Sequence, residues 1–373
     1  MNEIVISGTG VFTPKESITN KELVEAYNAY AEKFNTFNKD LIDNGELDAL
    51  ELSNEDFIYN ASGIKNRYVM DKKGILDPDI MHPILERRNN DEPSILAEMS
   101  IEAAKQALKV SGKKPSDIDA VITACSNLER AYPAIAIEVQ QYLGIQGFAF
   151  DMNVACSSAT FGIQAAADMI KAGSAETILI VDPEICSGHL DFKDRDCHFI
   201  FGDVCTAMIL EKKVSANSSN SFEILSTKCI TQFSNNIRNN FGFLNNAKQS
   251  QTLDRDMLFM QEGRKVFKEV VPMVSQLILD HLLDENVGIN DVKRLWLHQA
   301  NKSMNDFIGK KVLGRTPEKN EQPNILQDYA NTSSAGSIIA FSQYSEDMDK
   351  GEIGVLCSFG AGYSAGSVIL RKI

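Results

Sequence analysis

One of the seven cysteines, Cys156, stands where a predicted strand turns into a predicted helix. The strand is "GFAFDM" at 147–152, and the helix begins within "NVACSSATFG" at 153–162. Unpaired backbone N–H groups at a helix N-terminus favour a thiolate, so a cysteine here can act as a nucleophile at neutral pH. The same pattern also fits a small buried residue at a tight junction.

Two other residues could complete a reaction centre. His298 follows an apolar strand in "LWLHQAN", and Asn331 stands at a helix start in "YANTSSAGS". Taken singly, such a histidine is usually structural and such an asparagine can simply cap its helix. A thiolate, an imidazole and an amide at one point suit covalent acyl transfer, with the latter two donating hydrogen bonds to an enolate oxygen.

An internal repeat predicts how these residues meet. "SDIDAVITACSN" at 116–127 matches "NDVKRLWLHQAN" at 290–301, and "VACSSATFG" at 154–162 matches "YANTSSAGS" at 329–337, which makes Cys156 and Asn331 counterparts. Two later pairs keep the same order: "ADMIKAGSAETILIV" with "SEDMDKGEIGVLCSF", and "TAMILEKK" with "GSVILRKI". We therefore expect two pseudo-symmetric βα halves, 1–215 and 220–373, whose equivalent junctions face each other.

The elements around these junctions predict an α/β fold. Short apolar runs alternate with helical patterns along all 373 residues, as in sheets covered by helices. The region from about 30 to 95 interrupts this rhythm, is rich in Asn, Asp and Glu, and is interpreted as an inserted cap segment.

Composition excludes several classes of function. A net charge of −14 argues against nucleic acid or an anionic membrane as partner, since both need a basic surface. Seven scattered cysteines favour reduced thiols. "MNEIVISGTG" is typical of a strand and glycine turn, not a signal segment, so we expect a cytoplasmic protein.

These residues together resemble the β-ketoacyl-acyl carrier protein synthase III family of the thiolase superfamily, in a long variant with insertions. The resemblance rests on motifs in the family's order and context: "SGTGVFTP", "SGIKNRYV", "YPAIAIEVQQYLGI", "NVACSSATFGI", "FGDVCTAMIL", "WLHQAN", "YANTSSAGS" and "SFGAGYSAGSVIL". It implies a thiolase-like fold layered αβαβα. The Cys-His-Asn set is also that of plant-type polyketide synthases and the hydroxymethylglutaryl-CoA-forming branch.

The resemblance implies a role for each central residue. Cys156 would be acylated by a primer, and His298 and Asn331 would stabilise the enolate formed when a malonyl thioester loses CO₂. The backbone N–H groups of Cys156 and Ala361 would form the oxyanion hole. Acyl-CoA and malonyl thioesters would be substrates, with no cofactor or metal, and the enzyme would be a homodimer.

The resemblance also implies substrate and partner contacts. Pocket residues would be Phe57, Tyr132, Gly360 and Gly362, with Tyr132 reaching into the neighbouring subunit. Acyl carrier protein would dock on a basic patch formed by Arg264, Lys265, Lys268 and Lys302.

This chain departs from the family pattern at four positions. Phe57 and Ala61 stand where short members carry a Trp and an Arg that hold the adenine of coenzyme A. Ser303 replaces an expected basic residue, and Tyr132 replaces a Phe. The primer is therefore left open.

Two other functions stay open, and a zinc site is set aside. The long insertions also occur in ketosynthase/cyclases that join two acyl chains and close a resorcinol or stilbene ring, and a non-catalytic subunit that binds acyl thioesters belongs to a different class. Four residues, Cys186, His189, Cys197 and His198, could suggest zinc, but their spacing fits no usual paired-ligand pattern.

Overall fold

The computed structural model describes residues 3–218, 220–240 and 255–373, together with positions 244, 247 and 253. Its main sheet is built from strands β1 (Ile4–Phe12), β4 (Ala120–Ala124), β5 (Phe148–Met152), β6 (Thr177–Glu184), β7 (Val204–Lys212), β8 (Phe222–Ser234), β11 (Val292–Leu297), β12 (Ile353–Gly360) and β13 (Gly362–Lys372). Two small pairs accompany it: β2 (Glu16–Thr19) with β3 (Asn66–Val69), and β9 (Ile237–Arg238) with β10 (Met260–Gln261).

The helices fall between these strands. They are α1 (Asn20–Phe37), α2 (Lys39–Asp43), α3 (Glu55–Ser62), α4 (Lys72–Leu76), α5 (Ile95–Ser111), α6 (Ile135–Leu143), α7 (Ser158–Ala172), α8 (Gly263–Asp284), α9 (Lys302–Leu313), α10 (Leu326–Tyr329) and α11 (Ala335–Gln343). None of the described helices is long and apolar enough to cross a membrane. The cytoplasmic location stays a prediction.

The same strand arrangement occurs twice. The N-terminal half has the order β1-β7-β6-β4-β5, the C-terminal half has β8-β13-β12-β11, and β1 pairs with β8 to join them. In each half the first two pairings are antiparallel and the next is parallel. The repeat seen in the sequence is thus a repeat of topology, and the fold is the predicted pseudo-symmetric α/β architecture. The boundary between 215 and 220 stays a prediction.

Two central helices separate the two halves of the sheet. Helix α7 packs on strands of both halves, as does α11, and their apolar residues share one core with inward-facing residues of those strands. Outer helices α5 and α6 cover the N-terminal half, while α8 and α9 cover the C-terminal half. A helix between the two halves of the sheet is covered on both sides. It must therefore be apolar nearly all round, as "SATFGIQAAADMI" is. The layers are therefore αβαβα.

The inserted segment packs against the chain that follows β6. Helix α1 begins with a capping box in which Thr19 and Glu22 satisfy each other's backbone N–H groups. Its buried face, with those of α3 and α4, forms a cluster with aromatic residues from the chain after β6, including Phe199 and Phe201. Part of the region from 30 to 95 therefore shares a core with the loop between β6 and β7.

Candidate active site

The three residues predicted to be catalytic line one cavity. Cys156, His298 and Asn331 border a space of about 670 Å³ that also touches the inserted segment and α8. The first comes from the N-terminal half and the other two from the C-terminal half, so the cavity lies where the halves meet. Their catalytic roles stay predictions.

The backbone before Cys156 is held in a tight turn. Ala155 has a φ of 47°, in the left-handed region that non-glycine residues rarely adopt. The Asn153 side-chain oxygen accepts a hydrogen bond from the Ala155 N–H at 2.9 Å. Ser158, the first residue of α7, donates from its hydroxyl to the Ala155 carbonyl at 2.8 Å. These bonds fix the partly buried thiol at the helix start.

Three polar groups influence the Cys156 sulfur. They are the backbone N–H groups of Cys156 and Ala361 and the hydroxyl of Ser333, each of which lowers the pKa of the thiol. The first two are the predicted oxyanion-hole groups. Gly360 makes this approach possible, because a Cβ atom there would lie 2.9 Å from the sulfur.

Burial outweighs these donors. It raises the pKa of Cys156 to about 11, and the nearby carboxyl of Glu184 adds to the rise. The expectation that the helix terminus alone makes Cys156 a thiolate at neutral pH is therefore wrong for the unliganded site. At neutral pH the thiol carries its proton in this structure.

His298 is held as a neutral imidazole. Its backbone N–H donates to the Cys357 carbonyl at 2.7 Å, which sets it at the end of β11. The ring lies edge-on to Phe359, with centroids 5.1 Å apart. Burial lowers the pKa of His298 to about 4, although the nearby Ser333 backbone opposes the shift, and the ring Nδ1 has no hydrogen-bond partner among the described residues. At pH 7 the ring can donate one N–H without being charged.

Asn331 presents its amide NH₂ group. The backbone N–H donates to the Ile200 carbonyl and the backbone carbonyl accepts from the Gly202 N–H, both at 3.0 Å. The side-chain oxygen accepts from the Ser333 N–H at 2.9 Å. With the oxygen occupied, the NH₂ is the group left to donate towards a substrate. The N-cap alternative does not apply, because α11 begins after Ser334.

The predicted pocket residues are not all in this cavity. Phe57 and Gly360 line it, whereas Tyr132 and Gly362 are outside its lining. The Tyr132 side chain is 84% exposed on the surface of the chain. Its place in a neighbouring subunit stays a prediction.

The predicted basic patch lies near the cavity mouth. Arg264 lines the mouth directly. Lys265 and Lys268 are exposed on the same helix, and Lys265 is paired with Glu262. Lys302 begins α9 and pairs with Asp306 at 2.5 Å. The patch is an exposed surface formed by α8 and α9. Its role in docking a carrier protein stays a prediction.

Sequence reasoning missed a stacked pair beside the cavity. The Arg195 guanidinium lies 4.1 Å from the centre of the Phe57 ring, a cation–π contact. Its Nε donates to the Leu52 carbonyl at 2.9 Å, which ties it to the inserted segment. The sequence shows Ala61 where the family has an arginine. Arg195 is 134 positions further along the chain, so the sequence gives no sign that it lies next to Phe57. Only the fold shows the contact.

The residues considered for zinc have other contacts. The His198 ring stacks on Tyr27 with centroids 4.8 Å apart, and its Nδ1 lies 2.9 Å from the Arg195 carbonyl oxygen. His189 packs against Phe201 and Phe259. In the part of the chain that the structure describes, no group of three or more His, Cys, Asp and Glu side chains could hold a metal ion.

Comparison with known proteins identifies the family. The family described as "3-Oxoacyl-[acyl-carrier-protein (ACP)] synthase III" matches residues 150–232, and its C-terminal counterpart matches 282–372. A β-ketodecanoyl-[acyl-carrier-protein] synthase of Pseudomonas aeruginosa is 59% identical over 94% of this chain and 100% of its own length. The chain belongs to the 3-oxoacyl-[acyl-carrier-protein] synthase III family. It is a condensing enzyme of the acyltransferase class.

Other members agree at lower similarity. A β-ketoacyl-[acyl-carrier-protein] synthase III of Agrobacterium fabrum is 30% identical over 89% of this chain and 95% of its own length. The crystal structure of a synthase III from Aquifex aeolicus covers 99% of both chains with a TM-score of 0.77 at 23% identity. That structure supports the thiolase-like fold.

Proposed function

We propose that this enzyme extends an acyl primer by two carbons through decarboxylative condensation with a malonyl thioester. The observation that carries the proposal is the cavity itself. It brings a thiol faced by two backbone N–H groups together with a neutral imidazole and an amide, in a chain of the synthase III family. Each group matches one requirement of the reaction.

The first step is transfer of the primer to Cys156. The sulfur bonds to the acyl carbon, the carbon–sulfur bond of the incoming thioester breaks, and the thiol proton ends on the departing thiol. The backbone N–H groups of Cys156 and Ala361 would stabilise the oxyanion. Since burial raises the pKa of the thiol, acylation should become faster as pH rises through neutrality.

The second step joins the two substrates. The malonyl carbon–carbon bond breaks and releases CO₂, and its electron pair forms an enolate whose oxygen accepts hydrogen bonds from His298 and Asn331. The enolate carbon then forms a carbon–carbon bond with the acyl carbonyl carbon, the Cys156 carbon–sulfur bond breaks, and the departing sulfur takes a proton from solvent to restore the thiol. A neutral imidazole can fill this role, because one of its ring nitrogens still carries an N–H that can donate to the enolate oxygen.

The primer is proposed to have eight carbons. The 59% identical relative is named for a ten-carbon β-keto product, of which two carbons would come from malonate. The inner wall of the cavity is apolar, with Ile237, Phe201 and Phe259 in its lining. Behind the two phenylalanines lies His189, with ring centroids 5.4 and 6.2 Å away. This wall would close the acyl chamber.

Intact-protein mass spectrometry tests the condensation and the chain length together. The enzyme is incubated with acyl-CoAs of two to twelve carbons, then with malonyl-acyl carrier protein, and the product is identified. We expect one adduct on Cys156, strongest with the eight-carbon primer, and a linear 3-oxodecanoyl product. A cyclised product would favour the ring-closing alternative. No adduct with any primer, from coenzyme A or carrier protein, would favour a binding subunit.

Acyl carrier protein is the proposed partner for the malonyl group. An acidic carrier would meet Arg264, which lines the cavity, and Lys302 at the start of α9. Its prosthetic arm would enter between α3 and α8. Replacing both residues by Glu should raise the KM for malonyl-carrier protein severalfold at low salt. Lys109→Glu, on the outer helix α5, is the matched control. An unchanged KM in the double variant would show that the carrier protein does not dock on this surface.

Acyl-CoA is the proposed primer carrier. The Phe57–Arg195 stack offers an aromatic face and a planar cation near the cavity, which are groups that bind a purine ring. Phe57→Ala should raise the KM for octanoyl-CoA and leave that for octanoyl-carrier protein unchanged. An equal effect on both would place the adenine elsewhere.

We also propose a homodimer. Strand β5 is at one edge of the main sheet, and exposed apolar side chains lie on and before it, including Tyr132, Ile137 and Phe148. An open edge beside an apolar surface favours association with a second copy. Light scattering during size-exclusion chromatography should give twice the chain mass of 41.2 kDa.

A further inference from the structure

The last residue of β6, Glu184, is a fully buried carboxylate that the proposed mechanism does not use. It receives hydrogen bonds from two serines on opposite sides. Ser126 donates from its backbone N–H at 3.0 Å and from its hydroxyl at 2.5 Å. Ser334 donates from its hydroxyl at 2.6 Å, with its N–H at 3.4 Å. Both serines belong to loops at the ends of central elements.

One of these serines leads to the nucleophile. The Ser126 carbonyl accepts a hydrogen bond from the Asn153 side chain at 2.8 Å. The Asn153 oxygen in turn accepts from the N–H of Ala155, the residue before Cys156. A three-bond chain thus connects Glu184 to the strained turn that carries the thiol.

The other serine leads to the enolate donors. Ser334 directly follows Ser333, whose hydroxyl faces the Cys156 sulfur and whose N–H holds the Asn331 side chain. Asn331, Ser333 and Ser334 lie in one tight turn before α11, in which Ser333 has a φ of 50°. Fixing Ser334 therefore fixes the direction of the Asn331 amide.

We propose that Glu184 is a positioning residue for the condensation, holding the turn with Cys156 and the turn with Asn331 at their working separation. This inference rests on the proposed function, since it concerns the same site. Glu184 would act through hydrogen bonds to both turns, without touching substrate. The bonds come from both halves of the fold, so they also fix the halves relative to each other at the cavity.

The charge of Glu184 gives the proposal a distinctive consequence. Burial raises the pKa of Glu184 to about 7, so the side chain is ionised in part of the molecules at neutral pH. Its negative charge raises the pKa of the Cys156 thiol. The other titratable groups near it and the adjoining Asp182 are Cys125 after β4, Cys186 and Asp203 after β6, and Cys205 on β7.

Glu184→Gln separates the two effects. The amide keeps the side chain's size and can still accept from the backbone N–H groups, but it carries no charge. We expect the thiol to ionise more readily, so alkylation of Cys156 by iodoacetamide at pH 8 should be about threefold to tenfold faster than in the wild type. Condensation should nevertheless be about tenfold slower in kcat, with KM little changed, because the Asn331 turn is held less firmly.

The experiment measures alkylation of Cys156 by peptide mass spectrometry from pH 6 to 10, and condensation kinetics, for four proteins. They are the wild type, Glu184→Gln, the shorter Glu184→Asp, and Glu211→Gln as a control. Glu211 is likewise fully buried and hydrogen-bonded, to Ser7, but lies on β7 and pairs with Lys113. We expect Glu184→Asp to recover the wild-type alkylation profile and part of kcat, and the control to change neither.

Several results would overturn the inference. One is a Glu184→Gln variant with the kcat and the alkylation rate of the wild type. Another is a Glu184→Gln variant that is alkylated more slowly than the wild type. A third is a loss of kcat in the Glu211→Gln control equal to that in Glu184→Gln. If Glu184→Gln does not fold, the decision falls to Glu184→Asp, and a kcat equal to the wild type would count against it. Alkylation needs no acyl substrate. A wild-type enzyme that cannot be acylated would therefore refute the proposed function while leaving this measurement informative.

Discussion

The two turns that carry Cys156 and Asn331 at the centre of the molecule share one backbone feature and differ in chemistry. Cys156 precedes α7, and Asn331 precedes α11 at the equivalent place in the second half. An alanine with positive φ comes before each, Ala155 at 47° and Ala330 at 58°. Each turn also contains an asparagine whose side-chain oxygen accepts a backbone N–H two residues ahead, but at different positions: Asn153 lies three residues before Cys156, and the other is Asn331 itself. The fold therefore repeats the turn and varies the side chain it presents.

The difference between the junctions lies in what packs against them. At the end of β12, Gly360 lies against Cys156, where a Cβ would be 2.5 Å from the Cβ of the cysteine. At the end of β6, the corresponding position holds Glu184, which bonds to Ser334 in the other turn. One turn is thus left open for a thioester and its oxyanion donors, while the other is held by a carboxylate. The two turns therefore differ in their proposed functions because different residues pack against them.

Removing the thiol should have the largest effect. Cys156→Ala should abolish the acyl adduct and lower condensation by roughly a thousandfold or more, because no other described cysteine lines the cavity. Mass spectrometry after incubation with octanoyl-CoA measures the adduct. An adduct of unchanged yield in this variant would place the nucleophile on another residue.

Removing the opposite donors should spare the first step. His298→Ala or Asn331→Ala should still form the acyl adduct, yet slow malonyl decarboxylation by about a hundredfold, since each removes one donor to the enolate oxygen. Release of CO₂ from labelled malonyl-carrier protein measures this step. Loss of the adduct in either variant would contradict the division of roles between the two junctions.

Filling the space at Gly360 should make the cysteine junction resemble its counterpart. In Gly360→Ala the new methyl group must displace Cys156, so acylation should fall by about tenfold to a hundredfold. Gly188→Ala is the control, because its nearest neighbour would be Ile185 at an ordinary 3.7 Å. Equal acylation rates in the two variants would show that close packing at Gly360 is unimportant.

Sequence reasoning reached the repeated fold and its central residues because both leave a local signal. Strands show as apolar runs, and the matching turns around Cys156 and Asn331 have similar letters at a constant offset. Glu184 and Arg195 left no such signal, since a lone carboxylate or guanidinium becomes meaningful only through partners far away in the chain. The protonated state of Cys156 was missed for the same reason, because burial depends on the whole cavity.

Relieving the strain at the two alanines should have the smallest effect and tests the equivalence most directly. Alanine with a positive φ costs about 1 kcal/mol or more, and glycine avoids this at the expense of greater chain entropy when unfolded. Ala155→Gly and Ala330→Gly should therefore each raise the urea midpoint slightly, by similar amounts, with kcat within about twofold of the wild type. Ala330 combines its φ of 58° with a ψ of −160°, a conformation typical of glycine, so any inequality should favour that variant. A lower midpoint for either glycine variant would mean that its turn is not strained, and the likeness of the two junctions would then be one of chain path alone.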